Sequence, residues 1–244
     1  MTVYLVGAGP GNADLLTVRA ARLLASAEVV VHDRLIDPSV WELVSPHAER
    51  IDVGKIPGGS SSQEMINALL VSLGQRYERV VRLKGGDPFI FGRGGEEALA
   101  LRAADISVEV IPGISSAFSA PLAAGIPVTH RGLSQGVVVV TGHVRPGASF
   151  QLAAVAHRDF TLVILMGVAH RAAIQAELLS AGLAPATPVA IIERAWTSSQ
   201  RVQRVTLDSL DRVEVENPAT IVIGAVAALS VAEVMGELQV AGVA

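Results

Sequence analysis

Apolar residues in the first half of the chain come in short unbroken runs, each followed by a longer stretch in which they recur at helical spacing. Residues 3–6, 28–32, 50–53, 79–83 and 108–111 read as strands. The run Val29-Val30-Val31 is continuous and β-branched, as in a strand buried on both faces. Between the strands, residues 14–26, 38–44, 63–73 and 96–104 read as helices, the first with a cap at Asn12 or Asp14. Strand and helix alternating in this way predict a parallel sheet with crossover helices. After Pro112-Gly113 a small-residue helix is expected over 115–124, and the alternation then restarts. Strands are expected at 137–141, 161–165, 189–192, 201–205 and 219–223, and helices at 150–156 and 169–181. The last strands are closely spaced, which predicts a mixed sheet. The fold class is therefore α/β, as two lobes: 1–114 with a parallel sheet and 115–244 with a mixed one.

Composition narrows the function classes. The chain has 244 residues, 50% of them apolar and 17% charged, enough to fill two cores of about 120 residues each. Its net charge of −4 gives no electrostatic footprint for nucleic acid. Cysteine is absent, which removes disulfides, thiolate nucleophiles and Cys-ligated metals. The six histidines show no metal-ligand spacing, so no metal is expected. The start lacks a basic signal-peptide region, and the apolar stretch at 220–232 falls short of the ~20 residues that span a bilayer. A cytoplasmic protein without membrane or nucleic-acid partners is expected. Among 19 cations only Lys55 and Lys84 are lysines, which makes those two positions worth locating.

Chemistry is expected where strands of the first lobe end, because open α/β sheets bind ligands beyond their carboxyl edge. Four glycine- or proline-bearing turns lie there: Gly7-Ala8-Gly9-Pro10-Gly11, Gly54-Lys55, Gly85-Gly86-Asp87-Pro88 and Pro112-Gly113-Ile114-Ser115-Ser116. Asp33 ends the remaining strand. The first turn opens as G-x-G, yet a dinucleotide fingerprint would need a third glycine where Asn12 stands, and Pro10 removes a backbone N–H. A tight turn, a dinucleotide loop and a cradle for another ligand all remain open on that segment alone. No G-K-[ST] element is present, which argues against a Walker nucleotidase.

Residues 82–97 read R-L-K-G-G-D-P-F-I-F-G-R-G-G-E-E, too glycine-rich for a packing element. Together with G-A-G-P-G-N-A-D-L-L-T at 7–17, P-G-I-S-S at 112–116, G-I-P-V-T-H-R at 125–131 and T-G-H at 141–143, this block resembles the tetrapyrrole methyltransferases. The similarity is greatest to the branch that methylates uroporphyrinogen III, and it runs from about residue 4 to residue 229.

The resemblance implies S-adenosyl-L-methionine (SAM) as methyl donor, S-adenosyl-L-homocysteine as its product, and a tetrapyrrole as substrate. It implies methylation at carbons 2 and 7 to give precorrin-2, for siroheme or cobalamin biosynthesis, by a homodimer with its active site in the cleft between the lobes. Position by position it assigns Pro10, Gly85, Gly86, Asp87, Ile90, Ser115, Ser116, Met166 and Ala195 to the cofactor. It assigns Asp33 as proton acceptor and Lys55 as proton donor. Here Lys55 is followed by Ile56 where the family usually has arginine. A substrate bearing eight carboxylates needs local cations, and Arg34, Arg82, Arg93, His130, Arg131 and His143 lie in or beside the motifs. Two other readings stand beside this one: a methyltransferase of the same fold acting on a later corrinoid precursor, and a nucleotide- or NAD-binding protein built on the first glycine turn.

Overall fold

The computed structural model of the chain describes residues 1–54, 62–143 and 152–231. The chain divides into two compact units, Met1–Ser115 and Ser116–Ala244.

The first unit is a five-stranded sheet of β1 (Thr2–Gly7), β2 (Val29–His32), β3 (Glu49–Asp52), β4 (Arg79–Lys84) and β5 (Ser107–Ile111). Its strand order is β3-β2-β4-β1-β5, and all four pairings are parallel. Helices cover both faces, so alternate residues of each strand enter different cores. Val3, Leu5, Val29, Val31 and Val80 pack under α2 (Gln63–Gly74) and α3 (Gly94–Ala103), against Ile66, Leu70, Leu73 and Leu101. Val6, Val30, Val81, Leu83 and Ile111 pack on the other side, against Ala20 and Leu24 of α1 (Val18–Ala25) and Val40 of a 3-10 turn. This is why the valine run of β2 is unbroken: every position is buried.

The helix expected over 14–26 is two elements. Asn12 caps a 3-10 turn at Ala13–Leu15 through its side chain, which accepts from the Asp14 N–H. Leu16 is then extended, and Thr17 caps α1 by accepting from the Ala20 N–H. Two caps five residues apart leave no room for one continuous helix. The segment over 38–44 is likewise 3-10, at Pro38–Leu43.

The second unit holds β6 (Gly136–Thr141), β7 (Phe160–Leu165), β8 (Pro188–Glu193), β9 (Arg201–Thr206) and β10 (Ala219–Ile223), in the order β6-β7-β10-β8-β9. β6 and β7 are parallel; the other three pairings are antiparallel. The sheet is therefore mixed, and β6, β7 and β8 all run the same way. One face packs on α5 (Arg171–Ser180) through Ile174 and Leu178. The other packs on the alanines of α4 (Ser116–Ala123). Of the helix expected over 150–156, the described part is a 3-10 turn at Leu152–Ala154; residues 150 and 151 lie outside the described residues. Among the described residues no helix is long and apolar enough to cross a membrane.

Candidate functional site

Because every strand of the first unit is parallel, its glycine turns leave from one edge of the sheet, and three of them meet there backbone to backbone. Gly9 and Gly86 exchange two hydrogen bonds, Gly86 N–H to Gly9 C=O at 2.7 Å and the reverse at 3.2 Å. A Cβ placed on Gly113 would lie 2.1 Å from the Gly86 carbonyl oxygen and 2.8 Å from Gly7 Cα, so only glycine permits the three turns to touch. Asp87 ties the same turns with its side chain. Oδ1 accepts from the Phe89 N–H at 2.8 Å, and Oδ2 accepts from the Gly113 N–H at 3.1 Å. Pro10 follows the Gly9–Gly86 bridge directly, and Ser115 closes the third turn as a buried residue. Gly85 faces open space: a Cβ there would meet only the Leu35 carbonyl oxygen, at 3.8 Å. Beyond it, Phe89, Ile90 and Phe91 are all exposed.

Asp33 sits just past the end of β2, with 39% of its side chain exposed. Its Oδ1 accepts from Arg82 Nη2 at 2.5 Å. Arg82 is 1% exposed. It donates from Nε to Glu97 Oε1 at 3.1 Å and from Nη1 to the Leu83 carbonyl at 3.3 Å. Glu97, on α3, is fully buried, and the same Oε1 accepts from Lys84 Nζ at 2.9 Å and from Gln63 Nε2 at 3.4 Å. Its Oε2 is buried without a hydrogen-bond partner among the described residues.

This corrects the expectation for Arg82, which sequence analysis places among the cations for substrate carboxylates. Val80, Arg82 and Lys84 share one face of β4, the face beneath α3, so the guanidinium points inward and is committed to Glu97 and Asp33. Sequence reasoning missed Glu97 and Gln63. The available signal was the strand itself: after the exposed Arg79, two cations alternate with apolar residues in a central strand, and they demand a buried counter-charge.

Burial, and next the Arg82 guanidinium, hold the Lys84 ammonium below its usual 10.5, with Glu97 opposing. A group whose folded value is depressed contributes stability that is fully present above the unfolded value and lost as pH falls through the folded one. The unfolding free energy of the native chain minus that of Lys84→Met is therefore expected to rise with pH up to about 10.5. Chemical denaturation at a series of pH values measures it; a flat difference would mean that Lys84 keeps its proton throughout.

The remaining candidates lie as follows. Arg34 is exposed beside Asp33. Arg93 is exposed in a left-handed conformation, with its fork on Glu96 at 2.7 and 2.9 Å. Lys55 lies outside the described residues. In the second unit, Ser116 opens α4, and His130 and Arg131 are exposed in a short turn closed by a His130–Ser134 bridge. His143, Met166 and Ala195 follow β6, β7 and β8, which end at one edge of that sheet. His143 is exposed, Met166 is exposed with φ of 56°, and Ala195 is buried between left-handed Arg194 and Trp196.

Residues 2–211 match the family model of the Tetrapyrrole (Corrin/Porphyrin) Methylases. A siroheme synthase of Sodalis glossinidius is 49% identical over 231 residues, covering 93% of this chain and 49% of the relative. The chain thus spans about half the length of the curated relatives it matches. Among solved structures, uroporphyrin-III C-methyl transferase from Thermus thermophilus, complexed with S-adenyl homocysteine, is 45% identical with a TM-score of 0.83, covering 93% of this chain and 98% of that one. A cobalt precorrin-4 methyltransferase matches at 26% identity and a TM-score of 0.81 over 91% of this chain and 94% of that one.

Proposed function

This chain belongs to the tetrapyrrole methylases, and from that premise we propose that it is a SAM-dependent C-methyltransferase acting on uroporphyrinogen III at carbons 2 and 7. The observation that carries the proposal is the junction of three backbone turns at the carboxyl edge of the first sheet, with a half-exposed carboxylate on the same edge. Supporting the substrate choice is the 45% identity to the Thermus enzyme, against 26% to the cobalt precorrin-4 enzyme.

The turns fit the donor. At Gly85 a Cβ would meet only the Leu35 carbonyl oxygen, so the backbone there leaves space for a ligand. Asp87 holds the turns in register and keeps a second lone pair on each oxygen, so it can accept from a ligand as well. In the first unit Pro10, Gly85, Gly86, Asp87, Ile90 and Ser115 are the proposed cofactor residues. In the second unit Ser116, Met166 and Ala195 are proposed for the cofactor, and His130, Arg131 and His143 for substrate carboxylates.

When bound, SAM supplies a methyl group activated on a sulfonium, which becomes a neutral thioether as a pyrrole carbon's electron pair forms the new C–C bond. The protein's main contribution is alignment of the reacting atoms. A methylated macrocycle carries one positive charge too many and must release a proton. Asp33 is the proposed acceptor, on Oδ2, because Oδ1 accepts from Arg82.

Asp87→Ala removes the acceptor of two backbone N–H groups. It is expected to lower affinity for S-adenosylhomocysteine by about 10- to 100-fold, from the ~1.5–3 kcal/mol of hydrogen bonds to a charged group. Calorimetry on the folded variant measures this; unchanged affinity would remove Asp87 from the site. The reaction itself is tested by incubating the protein with SAM and uroporphyrinogen III, then weighing the product. Two added methyl groups support the proposal. Methylation only when precorrin-2 replaces uroporphyrinogen III would favour the later-corrinoid reading.

A further inference from the structure

The ionic chain behind Asp33 is costly, and packing alone does not account for it. On the face of the sheet beneath α2 and α3, its neighbours are Val3, Leu5, Val29, Val31 and Val80. Replacing a buried ion pair with apolar residues of similar volume is often neutral or stabilising. Here two cations and a carboxylate are nevertheless buried together, and the one member of the chain that reaches solvent is Asp33.

The geometry points to Arg82 as a positioning residue that holds the Asp33 carboxylate in a single orientation. β4 pairs with β2 so that Arg82 lies opposite Val31, and Asp33 is two residues further along on the same face. Arg82 uses three different nitrogens toward three partners: Nε to Glu97, Nη1 to the Leu83 carbonyl, and Nη2 to Asp33. A planar fork anchored in three directions cannot swing, so the Nη2–Oδ1 bond fixes the carboxylate and leaves Oδ2 without a partner among the described residues. Glu97 is the clamp on the inner side, and Lys84 balances its charge. Lysine at position 82 would keep the charge and lose the fork.

This inference rests on the proposed role of Asp33 as proton acceptor, and a double-mutant cycle separates the two. Arg82→Lys is expected to lower kcat by about 10- to 100-fold, the loss typical of a small misplacement of a reacting group. KM for uroporphyrinogen III and the affinity for S-adenosylhomocysteine should stay within about twofold, since Arg82 is buried and its three nitrogens are committed to Glu97, Leu83 and Asp33. In an Asp33→Asn background the same substitution should cost less than about twofold more, because its route of action is already gone. A raised KM with kcat intact would make Arg82 a substrate ligand and overturn the inference. So would the full Arg82→Lys loss recurring on top of Asp33→Asn, or Asp33→Asn retaining the wild-type kcat.

If Arg82→Lys does not fold, Glu97→Gln replaces it. That variant loosens the clamp and should show the same non-additivity with Asp33→Asn, and additive losses overturn the inference. Should the wild-type chain methylate no tetrapyrrole, the proposed function fails, and the inference is judged on the Asp33 side-chain carboxyl resonance in carbon-13 spectra at fixed pH. That resonance should move in Arg82→Lys and stay in place in Arg93→Lys; an unmoved signal overturns the contact.

Discussion

Asp33→Asn is expected to lower kcat for methylation of uroporphyrinogen III by about 10²- to 10⁴-fold, the usual worth of a positioned proton acceptor. The substitution is nearly isosteric. The amide oxygen can still accept from Arg82 Nη2, so the side chain keeps its place and the buried chain through Glu97 stays paired. What disappears is the capacity to take a proton on the second oxygen. Binding of S-adenosylhomocysteine should be unchanged, because the turns that would hold it are tied by Asp87 and by the Gly9–Gly86 exchange. Steady-state kinetics beside calorimetry separate these effects. Full activity would reduce Asp33 to a structural cap on the end of β2.

Gly113→Ala should be the most damaging single methyl group in the first unit. Its Cβ would stand 2.1 Å from the Gly86 carbonyl and 2.8 Å from Gly7 Cα, and these are backbone atoms that cannot rotate away. Relief requires the third turn to part from the first two, which strains the Asp87–Gly113 hydrogen bond as well. Overpacking of this kind costs about 1–3 kcal/mol or more. At ~2–4 °C per kcal/mol for a chain of this size, melting should fall by about 2–12 °C. Affinity for S-adenosylhomocysteine should fall more than about tenfold, since 1.4 kcal/mol corresponds to tenfold. Gly85→Ala is the companion variant. Its Cβ would touch only the Leu35 carbonyl at 3.8 Å, so melting should hold while binding weakens. Wild-type melting and affinity in Gly113→Ala would show that the three turns need not meet.

The parallel sheet was legible because its strands announce themselves: Val29-Val30-Val31 is buried at every position, and only a doubly covered strand tolerates that. The mixed character of the second sheet could be read from spacing, since the eight residues between the strands expected at 189–192 and 201–205 leave no room for a crossover. Caps were harder. Asn12 and Thr17 both carry capping side chains, and the choice between one helix and two depends on Leu16 turning extended, a backbone decision with no mark in the residue types. Hardest was the partnership of Arg82. It joins residues 33, 82 and 97, which meet only once the register of β2 on β4 and the placement of α3 are fixed. Sequence chemistry saw a cation near a motif; strand alternation decided that it points into the protein. The turns themselves were visible as glycine clusters, but that Gly7, Gly86 and Gly113 abut is a fact of three dimensions.

In the proposed function the turns at Gly7–Gly11, Gly85–Asp87 and Pro112–Ser115 receive the methyl donor. A crystal of the protein grown with S-adenosylhomocysteine tests it most directly. Density for the ligand against the backbone of Gly85 and the side chain of Asp87 is the predicted result. Density elsewhere on the molecule, with those turns untouched at saturating ligand, would contradict it.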